Sequence, residues 1–299
     1  MICLLKLGEC LKSLVSICTK NRPEEVIRLV NSMKYQTKPP DEILIVDSTQ
    51  LDMKQFYVSR GLRNNSVTVH SITMSLIEAR KFSWNYALKN NFEILHFLDD
   101  DTILTSRYLE NIMSSFDKRS FLLGTGGIVL DNFERNLYSF FYDLIRVDGR
   151  VTKFGNGIAT YNPKTLKVFW LPGCSMSYRV SSLQEHDFDM RLKEIGSMGE
   201  DLHISNSIAK RGNLMRTPNA ILFHYQSAIN RPSMRNWNFR VNVQREIFLK
   251  KSNVRFVNSK ILIYLMVRLL ATVVLHFRYR SAPETFRSIY DYYKYKLKC

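Results

Sequence analysis

A chain of 299 residues, 45% hydrophobic and 23% charged, has the balance of a folded globular protein and the length for one large core, or one core plus an appendage. Its five cysteines form no CxxC pair and are odd in number, which argues against a disulfide framework or a zinc site and fits a reducing cytosol. The net charge of +16 is concentrated: residues 231–299 hold 15 Lys/Arg against 3 Asp/Glu, or +12, leaving +4 for the first 230. A soft boundary therefore falls near Arg231, and the basic character points to an anionic partner of the last quarter, lipid or nucleic acid.

In chain order, the N-terminal stretch has too short an apolar run and too poor a cleavage pattern for a signal peptide. Residues 14–18 (LVSIC) read as a buried strand and 19–23 (TKNRP) as the turn leaving it. Pro23 suits the first turn of a helix, Glu24 and Glu25 suit its positive end, and the helix stops before Lys38-Pro39-Pro40. Residues 43–46 (ILIV) make a second strand ending at Asp47, and this β–α–β order implies parallel pairing. A third strand is expected at 67–72 and a helix at 76–89, then a strand (ILHFL) running into Asp99, Asp100 and Asp101. Residues 105–116 read as a helix, and 121–130 as a strand whose GTGG matches no phosphate-loop spacing. Residues 132–161 are irregular and aromatic, a lid or core packing. Strands are expected at 168–171 and 174–178, a helix at 201–210 closing at Gly212, and a last strand at 220–224 ending in His224. The fold class is α/β, a mostly parallel central sheet flanked by helices, with a basic and apolar helical extension after residue 230.

The acidic triplet organises the rest. Like charges packed this closely repel, so an apolar strand feeding into them suggests a bound cation, and Mg²⁺ and Mn²⁺ favour carboxylate oxygens. A solvated acidic turn is the plainer reading. Thr19, Asn21 and Arg22, Asp47, the triplet and His224 all follow strand ends, which share one edge in a parallel sheet and so converge on one cleft. Singly, Asp47 reads equally well as a turn cap and His224 as a packed histidine. Glu200 and Asp201, at a helix start, read as a cap or as a general base.

The blocks LVSICTKNRP, ILIVD, Ala79-Arg80, FLDDD, WLPGCSMSYR and MGED, in this order over residues 14–224, resemble a family 2 glycosyltransferase of GT-A (Rossmann-like) fold. The resemblance implies inverting transfer of a sugar from a nucleotide-sugar donor to a hydroxyl, assisted by Mg²⁺ or Mn²⁺. It places Thr19, Asn21 and Arg22 beside the nucleoside, Asp47 at the base and Arg80 near the nucleotide. Lys81 stands where an asparagine is usual, with Asn85 a substitute. Asp101 matches the direct metal ligand, with Asp99 and Asp100 toward ribose and phosphate and Asp99 a second ligand. Trp170, Pro172, Gly173 and Cys174 match the segment lining donor sugar and acceptor. Asp201 resembles the catalytic base with Glu200 beside it, and His224 a further metal or diphosphate contact.

Residues 261–277 make a helix of about 26 Å, short of a bilayer core and broken by Arg268. Tyr264, Arg268, Thr272, His276 and Arg280 form a winding polar stripe. An interfacial helix fits better than a span, and a helix packed on the core is the alternative. Tyr290, Tyr292, Tyr293 and Tyr295 interleave with Lys294, Lys296 and Lys298, as at a membrane interface; no nucleic-acid motif accompanies them. The expectation is a cytosol-facing, peripherally membrane-bound enzyme of surface polysaccharide assembly with a lipid-linked saccharide acceptor. A metal-dependent nucleotidyltransferase and a non-catalytic binder of anionic lipid or RNA are the alternatives.

Overall fold

The computed structural model describes residues 11–62, 66–131, 149–152, 154–155, 157, 167–274 and 282–297, without the side chains of 268–274 and 282. The expectations for Phe133, Tyr138, Phe140, Phe141 and Tyr142, and for His276, Arg280 and Lys298, lie outside the described residues, as do those for the side chains of Arg268 and Thr272.

Apolar runs form the centre of a nine-stranded sheet. β1 (Ser13–Thr19) and β2 (Glu42–Asp47) are buried almost throughout, as strands covered on both faces must be. With β3 (Val67–Ser71) and β4 (Ile94–Asp99) they form the parallel set β3-β2-β1-β4. Register places Thr19 opposite Asp47 and Cys18 opposite Asp99, so the carboxyl ends of these strands share one rim.

Helices follow from local sequence. α1 (Pro23–Met33) has proline in its first turn with Glu24 and Glu25 near the positive dipole end, and buries Val26, Leu29, Val30 and Met33. α2 (Lys54–Ser59) is a short addition that the sequence pattern did not announce. α3 (Leu76–Lys89) opens on a reciprocal capping box between Ser75 and Glu78.

Beyond β4 the sheet turns mixed. β5 (Thr102–Leu104) and α4 (Tyr108–Asp117) lead to β6 (Leu122–Asp131); β7 (Lys167–Val168), β8 (Met176–Arg179) and β9 (Asn213–His224) complete the sheet. Only β6–β9 is parallel here, whereas β4–β8, β6–β8, β5–β9 and β7–β9 are antiparallel. The expected parallel sheet is thus its amino-terminal half. The strand expected at 174–178 begins as a 3₁₀ turn, Gly173–Ser175, and the one at 168–171 is cut to two residues.

α5 (Glu200–Ala209) precedes β9, and three helices follow it: α6 (Met234–Lys251), α7 (Val257–Val274) and α8 (Ala282–Lys296). Two core layers flank the sheet, Val15, Ile17 and Leu98 facing one and Leu14, Leu95 and Phe97 the other. A third core joins the last helices to the sheet domain: Leu192, Ile195 and Leu202 pack with Val243, Phe248, Ile261, Leu265 and Tyr292. The described parts of α6, α7 and α8 therefore pack on the sheet domain, the alternative foreseen for residues 261–277. Among the described residues no helix is long and apolar enough to cross a membrane.

Candidate active site

One cleft of about 1500 Å³ opens over the carboxyl rim of the parallel strands, lined by Thr19, Arg22, Asp99, Asp100, Asp101, Trp170, Gly173, Glu200, Asp201 and His224, among others. The acidic triplet and Asp201, about a hundred residues apart in the chain, thus face the same space.

β4 delivers the triplet, and neighbouring elements hold it. Thr19 Oγ1 donates to Asp100 Oδ2 (2.6 Å), and Arg22 Nη1 reaches Asp100 Oδ1 (3.0 Å) and Asp101 Oδ2 (3.4 Å). Antiparallel pairing of β5 with β9 sets Thr102 opposite His224, which brings the imidazole Nε2 to 3.0 Å from Asp101 Oδ1. The Ser227 N–H donates to Asp101 Oδ2 at 2.9 Å. Burial raises the Asp100 carboxyl to about 6 against the pull of Thr19 and Arg22, and raises Asp99 against Arg80. At Asp101 burial is outweighed by His224, Ser227 and Arg22, and its pKa falls. Burial alone depresses His224; Asp101, Asp99 and Asp131 reverse this and raise it. Asp99, Asp101 and His224 offer ligand atoms all within 4.8 Å of one another.

Arg80, buried on α3, links this cluster to the second carboxylate pair. Its Nη2 lies 3.2 Å from Asp99 Oδ1, 3.2 Å from the Gly173 carbonyl and 3.3 Å from Glu200 Oε1. Burial, with Asp201 and Asp99 nearby, pushes Glu200 well above the usual carboxylate range despite Arg80. Asp201 is held at both oxygens: Oδ2 accepts from Trp170 Nε1 (3.2 Å) and the Gly173 N–H (3.0 Å), Oδ1 from the Leu202 N–H (2.8 Å). Gly173 keeps the approach close: a Cβ there would stand 3.0 Å from Arg80 Nη2 and in ordinary contact with Asp201 Cβ at 3.5 Å.

Two expected site residues sit elsewhere. Asp47 is fully buried, taking hydrogen bonds from Tyr57 OH (2.7 Å) and the Thr49 N–H (2.8 Å), and does not line the cleft. Asn21 borders an adjoining pocket with Lys20, Thr49, Gln50, Leu51 and Asn230; its φ of 55° is a left-handed conformation that asparagine tolerates. Lys81 pairs with Glu185 outside the cleft (2.6 Å), and Asn85 is exposed away from it. Lining residues that the sequence pattern did not single out include Arg216, Asp131, Lys193, Trp237 and Arg240. Their signal is only helical or strand spacing, which acquires meaning once the elements dock.

An open α/β sheet with carboxylates on its parallel rim and a second, oriented carboxylate facing the same cleft places the molecule among the Rossmann-like folds that bind a ligand at the carboxyl ends of their strands. The chain belongs to glycosyl transferase family 2, whose model matches residues 14–187. A crystal structure of GalNAc-T7 with UDP, GalNAc and Mn²⁺ has the same fold: TM-score 0.52 at 16% identity, over 79% of this chain and 48% of that one. The chain thus spans about half the length of that neighbour. No curated protein matches it.

Proposed function

We propose that the protein transfers a sugar from a nucleotide-sugar donor to an acceptor hydroxyl, with inversion and with help from a divalent cation. The observation that carries the reading is the shared cleft of Asp99–Asp101 and Asp201. The UDP, GalNAc and Mn²⁺ of the GalNAc-T7 structure supply the first probes.

Asp99, Asp101 and His224 suit Mg²⁺ or Mn²⁺ by donor chemistry, and the imidazole favours Mn²⁺. Such an ion, when bound, neutralises charge on a leaving diphosphate. Arg22 and Arg80 add fixed positive charge beside the same carboxylates. Thr19, Arg22 and Asp100 form the wall toward the nucleoside, with Asn21 at the neighbouring pocket and Asp47 acting through the 47–50 turn. Asp201 takes the acceptor proton as the acceptor oxygen bonds to the anomeric carbon. The bond from that carbon to the diphosphate oxygen breaks, and the nucleoside diphosphate leaves. Trp170, Gly173 and Leu202 keep the Asp201 carboxylate aimed, and Glu200 sits against Arg80 beside it.

We assign residues 1–230 to the catalytic domain and 231–299 to an extension that completes the cleft and binds an anionic membrane surface. The basic charge of that extension supports a lipid-linked acceptor met at the cytoplasmic face, as in surface polysaccharide assembly. The test is a donor screen with Mn²⁺ that follows nucleoside diphosphate release. Asp101→Ala and Asp201→Asn are each expected to lose roughly a hundredfold or more in turnover. Wild-type rates in both variants would overturn the mechanism.

A further inference from the structure

α6 turns one face toward the loop that carries Asp201. Met234, Trp237 and Arg240 recur along it at helical spacing and line the cleft. A Cβ on Gly196 would stand 2.5 Å from Arg240 Nη1, and one on Gly199 2.6 Å from Gln244 Cγ. Both glycines are left-handed (φ 66° and 74°), a conformation that glycine adopts without strain. The loop is therefore moulded onto α6 and passes directly into Glu200 and Asp201. Arg240 thus packs on the glycine loop at Gly196, four residues before Glu200, and lines the same cleft as Asp201.

Arg240 differs from its cationic neighbours. Arg22 is paired with Asp100 and Asp101, Arg80 with Asp99 and Glu200, and Lys193 with Glu78 at 2.6 Å. Arg240 is half-buried, and among the described residues it has neither a carboxylate partner nor a hydrogen bond. Trp237, three residues before it, is 42% exposed, and its indole N–H meets no acceptor among the described residues. A guanidinium partly withdrawn from water with no counter-ion is unfavourable until an anion arrives. Its planar fork matches carboxylate and phosphate, and an exposed indole offers an apolar face to a sugar ring.

We propose that Trp237 and Arg240 form an acceptor subsite that selects an anionic saccharide, one bearing a carboxylate or a phosphate close to the accepting hydroxyl. The inference rests on the reading of Asp201 as the group that meets that hydroxyl. Trp237 stacks on the ring, Arg240 holds the anion, and together they bring the hydroxyl toward Asp201.

The chain has three tryptophans, so the indole N–H resonances of the full-length protein make a three-peak spectrum in which Trp237→Phe assigns one. The probes are glucose, glucuronic acid and glucose 6-phosphate. The Trp237 resonance is expected to move with at least one anion at concentrations about tenfold below those needed for glucose. A response to glucuronic acid alone names a uronic-type acceptor, and one to the phosphate alone a phosphosugar. Arg240→Gln is expected to erase the preference and Arg240→Lys to keep part of it. Trp84, stacked on Phe188 at 5.4 Å, reports whether each variant is folded, and the wild-type titration stands without them. An unmoved Trp237 peak, an equal response to glucose, or an anion preference that survives Arg240→Gln in folded protein overturns the proposal. The titration needs no turnover, so its failure is separable from that of the donor screen.

Discussion

Asp189 shows how one residue ties the loop region before the active site to the helices around it. Arg191 grips its carboxylate with two hydrogen bonds (2.8 and 2.7 Å), and His203 Nδ1 lies at 3.5 Å, an ion-pair distance rather than a hydrogen bond. Burial alone would raise the Asp189 pKa; Arg191 and His203 outweigh it and hold the carboxyl far below its ordinary value of 3.8. Burial also lowers His203, so near neutrality Arg191 is the main partner. A carboxyl depressed on folding adds stability that is fully present above its unfolded pKa and drains away as pH falls toward the folded one. Asp189→Asn is therefore expected to cost about 1–2 kcal/mol at pH 7, discounted because Arg191 is exposed. The gap from wild type in urea denaturation should narrow below about pH 4; a gap of constant size from pH 7 to 3 contradicts the account. Legibility at this scale followed chemistry. Asp99–Asp101 and His224 could be read because charge at the end of an apolar strand is conspicuous, and Asp201 because an acidic pair opens a helix. Asp47 carries the same signature yet lies under Tyr57, a partner ten positions along that no strand pattern reveals. Trp237 and Arg240 were illegible because their meaning comes from the loop they face.

Among the elements, β6 bears the tightest steric demand. Its GTGG run, which the sequence reading gave no nucleotide role, is a packing device. A Cβ on Gly126 would fall 2.3 Å from the Ser175 carbonyl, one on Gly127 2.3 Å from the Ala220 carbonyl, and one on Gly124 2.4 Å from the Tyr178 ring. Two of those obstacles are backbone and cannot swing aside. The close approach lets β6 sit between β8 and β9 while its register with β9 shifts between Gly126 and Ile128. Gly126→Ala is expected to destabilise the protein by roughly 3 kcal/mol, since overpacked strands must separate; an unchanged urea midpoint would show that the sheet yields easily. The parallel half of the sheet was legible because β–α–β units have long apolar strands and marked helix starts. β5 was not, being three residues directly after the acidic triplet. β9 runs twelve residues where five were expected, because Pro218 interrupts the apolar pattern without ending the strand.

At the scale of the whole molecule, α7 has two unlike faces. Ile261 and Leu265 are buried in the core shared with α6 and α8. Leu262, Ile263, Met266 and Val267 are 48–61% exposed and lie together on the opposite side, as their spacing on a helix requires. Phe256, Tyr290 and Leu297 are also exposed, in a segment with +12 net charge. Apolar side chains that enter the interface and basic ones that meet anionic headgroups, each about 1 kcal/mol, are what peripheral binding needs. Deleting the tail is a poor test, since it would strip Ile261, Leu265 and Tyr292 from a packed core. The exposed face can be changed alone: Ile263→Glu with Met266→Glu should leave the unfolding midpoint within about 0.5 kcal/mol of wild type. The same variant should lose most of its co-sedimentation with phosphatidylserine-containing vesicles, and wild-type binding should weaken as salt rises. Undiminished sedimentation of a folded double variant would remove α7 from the membrane contact and leave the basic charge to α6 and α8.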